Sequence, residues 1–274
     1  MPRPTKSYDR LSGLTALVTG AGTEGGGLGI GKAIALLFAR EGAKVALADI
    51  DRSRAEETLE IITRGGGEGL VVVGDVTDPE ACAAMVAQTA ERFGGLDLLV
   101  NNVGVVPKGG RLELIEVADW RRNVDVNFNG AFLMTRAAIP HLLSSAGKAV
   151  INIASIAGMR GYGSTSYGAA KAALIQLTRD LAVIYGPEGL RANCIAPGHM
   201  MTPMVEKLVS PQAREARRRI APLGIEGDAW DVAQAAVYLA SAEARFVTGV
   251  CLPVDGGAVE IGPLPAFHRM NQPT

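Results

Sequence analysis

The stretch Leu14–Glu41, LTALVTGAGTEGGGLGIGKAIALLFARE, decides the fold. A short apolar, β-branched run ends at Thr19. Twelve residues follow, Gly20–Gly31, of which seven are glycine. Then apolar residues recur at helical spacing, at Ile30, Ala33, Ile34, Leu37 and Phe38. Strand, glycine loop and helix in that order read as the opening of a βαβ unit, with the loop placed to hold a nucleotide phosphate. Gly20-Ala21-Gly22-Thr23-Glu24-Gly25 fits G-x-G-x-x-G literally. The chemistry, however, needs glycines that deliver the chain onto a helix N-terminus, whose free N–H groups and dipole favour an anion. A helix cannot begin at Gly25, because Gly26 and Gly27 follow it. The phosphate-facing positions are therefore read as Gly20, which closes the strand, and Gly29, Ile30 and Gly31, which open the helix. Thr23–Gly27 becomes an inserted bulge that carries Glu24 away from the phosphates. Whether that bulge touches the cofactor, a neighbouring subunit or only water stays open.

The same rhythm repeats along the chain. Strand-like runs lie at Leu14–Thr19, Lys44–Asp49, Gly69–Val73, Leu96–Val100, Ala149–Ala154, Arg191–Ala196 and Val250–Val254. Most are apolar throughout, as expected of strands buried on both faces of a parallel sheet. Helical patterns lie between them, at Gly29–Glu41, Arg52–Arg64, Asp78–Phe93, Asp119–Ser144, Ser164–Tyr185 and Asp228–Leu239. Asp78 before Pro79 is a good N-cap followed by proline at the first helical position. The expectation is an α/β fold in one domain spanning 1–274: a Rossmann-type doubly wound parallel sheet of seven strands with helices on both faces. Residues Met200–Gly227 break the alternation and read as a substrate lid over the carboxyl ends of the strands.

Composition narrows the function. The 274 residues are 48% hydrophobic and 20% charged, with a formal net charge of −1, which argues against a nucleic-acid footprint. Arg217-Arg218-Arg219 falls in a helical stretch and reads as a solvated face. Three cysteines without paired spacing argue against a disulfide framework, and three scattered histidines form no metal motif. No apolar run is long enough to span a bilayer, and the polar start MPRPTKSYDRLSG has no apolar signal core. A soluble, cytoplasmic protein is expected.

The second strand run ends at Asp49, about 20 residues beyond the loop. A carboxylate there can accept from both adenosine ribose hydroxyls and repels a 2′-phosphate, which favours NAD over NADP. Arg52 and Lys32 are the cations that would matter if the preference were reversed. Asp75-Val76 follows the third strand and could meet the adenine edge, and Asn101-Asn102-Val103-Gly104 ends the fourth, where glycine admits a ligand closely. Ser155 falls just past the fifth strand. Tyr167 comes twelve residues later and Lys171 four after that, on one helix face. An ammonium beside a phenol stabilises phenolate and lowers the tyrosine pKa, suiting it to acid–base work.

With these residues in place, the chain from Leu11 to about Gly257 resembles the short-chain dehydrogenase/reductase family, in its branch of about 250 residues. The resemblance rests on Thr19-Gly20…Gly29-Ile30-Gly31, Asn101-Asn102-Val103-Gly104, Asn127, Ser155, Tyr167-x-x-x-Lys171, Pro197-Gly198 and Asp255-Gly256-Gly257. It implies that Tyr167 is the general acid/base on the reacting oxygen and that Ser155 hydrogen-bonds that oxygen. Lys171 would bind the nicotinamide ribose and tune Tyr167, and Asn127 would hold a water in a proton relay to Lys171. Thr202 would bind the nicotinamide carboxamide, cap the next helix, or do both. Family loop positions place Val106, Met159, Arg160, Tyr162, His199, Met200 and Met204 around a small-molecule alcohol or ketone substrate. A homotetramer through the two long middle helices is also implied. The sequence departs from the pattern in a glycine loop five residues longer than usual, Val103 for alanine, a Ser–Tyr interval one residue shorter than the commonest, and a tail, 258–274, that crosses to a neighbour or is disordered. The expected activity is NAD-dependent oxidoreduction of a secondary alcohol or ketone. The alternatives are a 3-oxoacyl-thioester reductase using NADPH and a non-catalytic nucleotide sensor or scaffold.

Overall fold

The computed structural model describes residues 9–106, 110–206 and 209–271. Its sheet is made of β1 (Thr15–Thr19), β2 (Lys44–Asp49), β3 (Gly69–Val73), β4 (Leu98–Asn101), β5 (Ala149–Ile153), β6 (Arg191–Pro197) and β9 (Cys251–Val254). The strands are all parallel and lie in the order β3-β2-β1-β4-β5-β6-β9. The order reverses between β1 and β4, which opens a crevice beyond their carboxyl ends. Two-residue strands β7 (Met200–Met201) and β8 (Gly227–Asp228) pair separately and close the base of the 200–227 excursion.

The all-apolar strands do bury both faces. Ala16 and Val18, Val45 and Leu47, Leu98 and Val100 point into one core with α1 (Ile30–Arg40) and α9 (Ala229–Ala240). Their neighbours Leu17, Ala46 and Leu99 point into the other, against α3 (Pro79–Phe93), α5 (Gly130–Leu143) and α6 (Thr165–Tyr185). This is the period-two alternation of a strand expressed between two apolar layers. α2 (Arg52–Arg64) starts at Asp51, whose carboxylate caps Ser53 N at 2.9 Å. α3 starts at the expected Asp78–Pro79 cap and stops at Gly94, in the left-handed region at φ 84°.

Two expectations are corrected. The single helix expected over Asp119–Ser144 is α4 (Val117–Val124), a π-helical turn at Asp125–Asn129, and then α5. Interrupting the regular period turns Asn127 inward, where it is buried. The alternative of a disordered tail fails for residues 263–271, which form α10 (Pro263–Asn271) against α8 (Pro211–Ile220), with Arg269 donating to the Ala221 carbonyl at 3.3 Å. Among the described residues, no helix is long and apolar enough to cross a membrane.

Candidate active site

A cavity of about 1570 Å³ opens over the carboxyl ends of the strands. One end is built from the glycine loop. Thr19 Oγ donates to the Val100 carbonyl at 3.2 Å and accepts from Asn102 N at 2.9 Å; Asn102 Nδ2 donates to the carbonyls of Thr19 and Gly20 at 3.0 and 3.2 Å. These bonds lock the ends of β1 and β4 together. α1 begins at Ile30, as the periodicity indicates. Its N-cap is Gly29, with no side-chain cap and no acidic residue in the first turn. Its orphan amides therefore open into the cavity, which Gly20, Gly29, Ile30 and Gly31 line. Gly31 is obligatory by close approach: a Cβ there would collide with the Gly20 carbonyl oxygen and Asn102 Nδ2.

The inserted bulge is not carried away from the cavity. Thr23 and Glu24 line it, and Thr23 Oγ accepts from Gly29 N at 3.0 Å, tying the insertion to the helix entrance. Gly25, Gly26 and Gly27 are all left-handed, at φ 74°, 79° and 80°. They turn the chain so that a Cβ on Gly27 would stand 2.7 Å from Pro203 Cγ in the lid. Within this chain the bulge packs against the 200–227 segment at Pro203.

Asp49 lines the cavity beside Arg54. Its Oδ2 accepts from Gly22 N at 2.9 Å and its Oδ1 from Asp51 N at 3.0 Å, which fixes the carboxylate while leaving lone pairs on both oxygens. Arg54 is the cation that pattern reading missed. Arg52 points to solvent and faces Glu56 at 3.7 Å, and Lys32 is buried 3.7 Å from Glu57. Arg54, held by Asp51 at 3.2 Å, is the one in the wall. Its place in the first turn of α2 was the available signal. Asp75, Val76, Asn102 and Gly104 line the middle of the cavity.

Ser155, Tyr167 and Lys171 meet in the same wall, together with Pro197, Gly198 and Thr202. Ser155 caps a short 3-10 turn, its Oγ accepting from Ala157 N at 3.2 Å, and it hydrogen-bonds the Tyr167 hydroxyl. Lys171 Nζ sits 5.7 Å from the centre of the Tyr167 ring and donates to the Ile153 carbonyl at 2.9 Å. Burial pushes the Tyr167 phenol up from its usual value, and the Ser155 bond pulls weakly the other way. Burial lowers Lys171 to about 8. The downward shift of Tyr167 expected from the ammonium is not found: desolvation sets the direction, and only the Ser155 bond opposes it.

Asn127 does not line the cavity. Its Nδ2 donates to the carbonyls of Val105 and Asn123 at 2.9 and 3.0 Å, and its Oδ1 accepts from Val105 N at 3.2 Å. The side chain clamps the Gly104–Val105 segment beside Lys171: a Cβ on Gly104 would lie 2.8 Å from Asn127 Oδ1 and 3.4 Å from Lys171 Nζ. Thr202 begins α7 (Pro203–Glu206) through its carbonyl, which accepts from Val205 and Glu206 N at 2.9 Å.

The substrate positions divide. Val106 and Met200 line the cavity; Met159, Arg160, Tyr162 and His199 are not among its lining residues. Arg160 donates to the carbonyls of Ala258 and Val259 at 3.2 and 2.5 Å, holding down the tail. Tyr162 and His199 hydrogen-bond each other. The Met204 side chain lies outside the described residues. From the 200–227 segment, Pro203, Val205 and Arg217 join the wall; Arg217 is thereby half-buried and does not belong to the solvated face expected of Arg217-Arg218-Arg219.

A family profile described as enoyl-(acyl carrier protein) reductase matches residues 25–259. The 2,5-dichloro-2,5-cyclohexadiene-1,4-diol dehydrogenase LinX of Sphingobium indicum is 39% identical over 250 residues, covering 91% of this chain and 97% of that protein. A Burkholderia xenovorans structure described as a short-chain dehydrogenase/reductase is 42% identical, with a TM-score of 0.87 over 92% of this chain and 99% of the other. Carveol dehydrogenase from Mycobacterium avium, solved in complex with NAD, is 30% identical, with a TM-score of 0.86 over 92% and 99%. The chain belongs to the short-chain dehydrogenase/reductase family of oxidoreductases.

Proposed function

We propose that this protein interconverts a secondary alcohol and its ketone with NAD, using Tyr167 to move the proton. One observation carries the reading: Tyr167, Ser155 and the buried ammonium of Lys171 share a cavity wall with Asp49 and the uncapped entrance of α1. A dinucleotide fits the residues present. Lys171 has three donors, and Ile153 accepts one of them. Gly31 leaves no room for a side chain between the loop and the helix. Ile30 and Gly31 would present amides to the pyrophosphate, while Gly29, whose N–H is held by Thr23, and Gly20 would keep the loop close. Asp49 would accept from the adenosine ribose, with Asp75 and Val76 bordering the base. Asn102, Gly104, Pro197 and Gly198 would flank the nicotinamide half, Lys171 would donate to its ribose, and Thr202 to its carboxamide.

Bound nicotinamide supplies hydride chemistry. The chain's own residues supply the proton. In oxidation Tyr167 takes the hydroxyl proton as the carbon gives up hydride, and Ser155 donates a hydrogen bond to the same oxygen. In reduction Tyr167 returns the proton. Because burial holds the phenol protonated at neutral pH, reduction runs readily there, and oxidation gains as pH rises. Asn127 positions Gly104–Val105 against Lys171 and thereby supports the water relay to it. The 200–227 segment acts as the lid. Exposed Phe132 on α5, with Val183 and Ile184 on α6, supports a homotetramer through these helices.

A second reading, a 3-oxoacyl-thioester reductase using NADPH, is favoured by Arg54, which lines the wall and could meet a 2′-phosphate. Asp49 beside it weighs against that reading. Comparing kcat/KM with NAD and NADP decides between them: a preference for NADP removes the ribose role of Asp49 and points to Arg54. For the mechanism, Tyr167→Phe is expected to lose about 10²–10⁴-fold in turnover while still binding NAD in a fluorescence titration. Near-normal turnover would sink it.

A further inference from the structure

The lid helix α8 carries four arginines, and they are not equivalent. Arg214 pairs with Glu226, Nε to Oε1 at 2.8 Å. Arg218 and Arg219 both pair with Glu215, at 2.6 and 2.8 Å. Arg217 has no carboxylate partner among the described residues, yet it is half-buried and lines the cavity. Its charge is felt by His199 and Tyr162, lowering the pKa of each, although burial dominates both groups. Burial keeps His199 below its usual range, so at neutral pH it brings no second charge.

Other groups near this end offer no counter-ion. Asp255 faces His199, but its two oxygens accept from Gly257 and Val259 N at 2.8 and 2.6 Å. Arg160 is occupied by the Ala258 and Val259 carbonyls. The carboxylates in the cavity wall lie elsewhere: Glu24, Asp49 and Asp75 on the loop and the β2 and β3 ends, and Asp125 at the turn between α4 and α5. The same cavity wall carries the apolar side chains of Val106, Met200 and Val205.

We infer that the substrate is a hydroxy acid, or the matching keto acid, whose carboxylate is received by Arg217 while an apolar skeleton rests on Val106, Met200 and Val205. A guanidinium presents a planar fork matched to a carboxylate, and an unpaired one in a partly desolvated wall gains most from meeting an anion. Arg121 and Arg122 on α4 also line the cavity, but both are exposed, whereas Arg217 is half-buried and so gains more from an anionic partner. The inference rests on the proposed alcohol–ketone chemistry for the position of the carbinol, but not for the anion contact itself.

The test compares 4-hydroxycyclohexanecarboxylate with its carboxamide, and wild type with Arg217→Gln and Arg217→Lys. Wild type is expected to favour the acid by about 10–100-fold in kcat/KM. Arg217→Gln removes that ratio, chiefly through a higher KM for the acid, and Arg217→Lys restores part of it. Equal efficiency on acid and carboxamide in wild type overturns the inference. So does an equal loss on both in Arg217→Gln, or a rise in the KM for NAD in its place. Calorimetric titration of cyclohexanecarboxylate into the NAD-loaded protein separates this inference from the reading beneath it. If neither alcohol is oxidised, the dehydrogenase reading fails, while weaker binding by Arg217→Gln still supports the anion site and unchanged binding overturns it.

Discussion

The glycine loop and the lid face each other across one cavity but are made of different materials. The loop is backbone held by buried or half-buried partners: Thr19, Asn102, Asp49 and Thr23 fix it through short hydrogen bonds, and Gly31 admits no extra atom. In the 200–227 segment α8 buries no residue fully, and neither does the tail helix α10 packed on it. The segment is held by the β7–β8 ladder, the Arg214–Glu226 pair and a few side chain–carbonyl bonds such as Arg218 to Gly224 at 2.6 Å. A segment with few buried apolar contacts opens at low cost, as an element that admits substrate must. On the proposed reading, the cofactor would be held by rigid backbone and the substrate chosen by side chains of a loosely packed segment.

The sharpest way to test the rigid side is Lys171, whose burial is functional and costly together. Its pKa is lowered from 10.5 to about 8, so between those values the unfolded chain keeps a proton that the folded chain has released, and stability from this group rises with pH. Below pH 8 the cost is on the order of 3 kcal/mol. Lys171→Met is therefore expected to abolish turnover while raising Tm by about 2–4 °C per kcal/mol recovered at pH 7, a gain that fades towards pH 10.5. A Tm lowered at pH 7 would show that the Ile153 bond outweighs the buried charge.

A smaller effect separates loop from lid directly. Gly31→Ala should destabilise by about 1–3 kcal/mol, because backbone on both sides must move, and should weaken NAD binding. Arg218→Ala, which breaks an exposed pair, should stay within about 0.5 kcal/mol in denaturant unfolding. Similar losses in the two variants would erase the contrast. Smallest of all, deleting Thr23–Gly27 removes the Thr23–Gly29 bond and the packing under Pro203. NAD affinity is expected to fall by about 2–10-fold, with a larger change in KM for the alcohol. Unchanged values for both would make the insertion irrelevant to the site.

Ser155, Tyr167, Lys171 and Asp49 are legible in the sequence as neighbours of one cavity, because each sits at a strand end or on a helix face that local periodicity identifies. The place of the glycine bulge and the fold of the tail are not legible there, for the opposite reason. Neither has a period, and each takes its place from a distant partner, Pro203 for Gly27 and Ala221 for Arg269.

What the sequence by itself determined is the order of strands and helices, their parallel burial, and the placement of Ser155, Tyr167 and Lys171 at their ends. Those properties are written in alternation, spacing and caps over stretches of ten or so residues. Only the tertiary structure decided which of several equivalent-looking charges meets the cavity: Arg54 and not Arg52, Arg217 and not Arg218 or Arg219. It also turned Arg160 onto the tail and paired Tyr162 with His199 outside the wall, and it set burial against charge at Tyr167. The physical reason is the same throughout. A side chain's period sets its face, but its partner, its solvent and its pKa come from segments tens of residues away that only folding brings near.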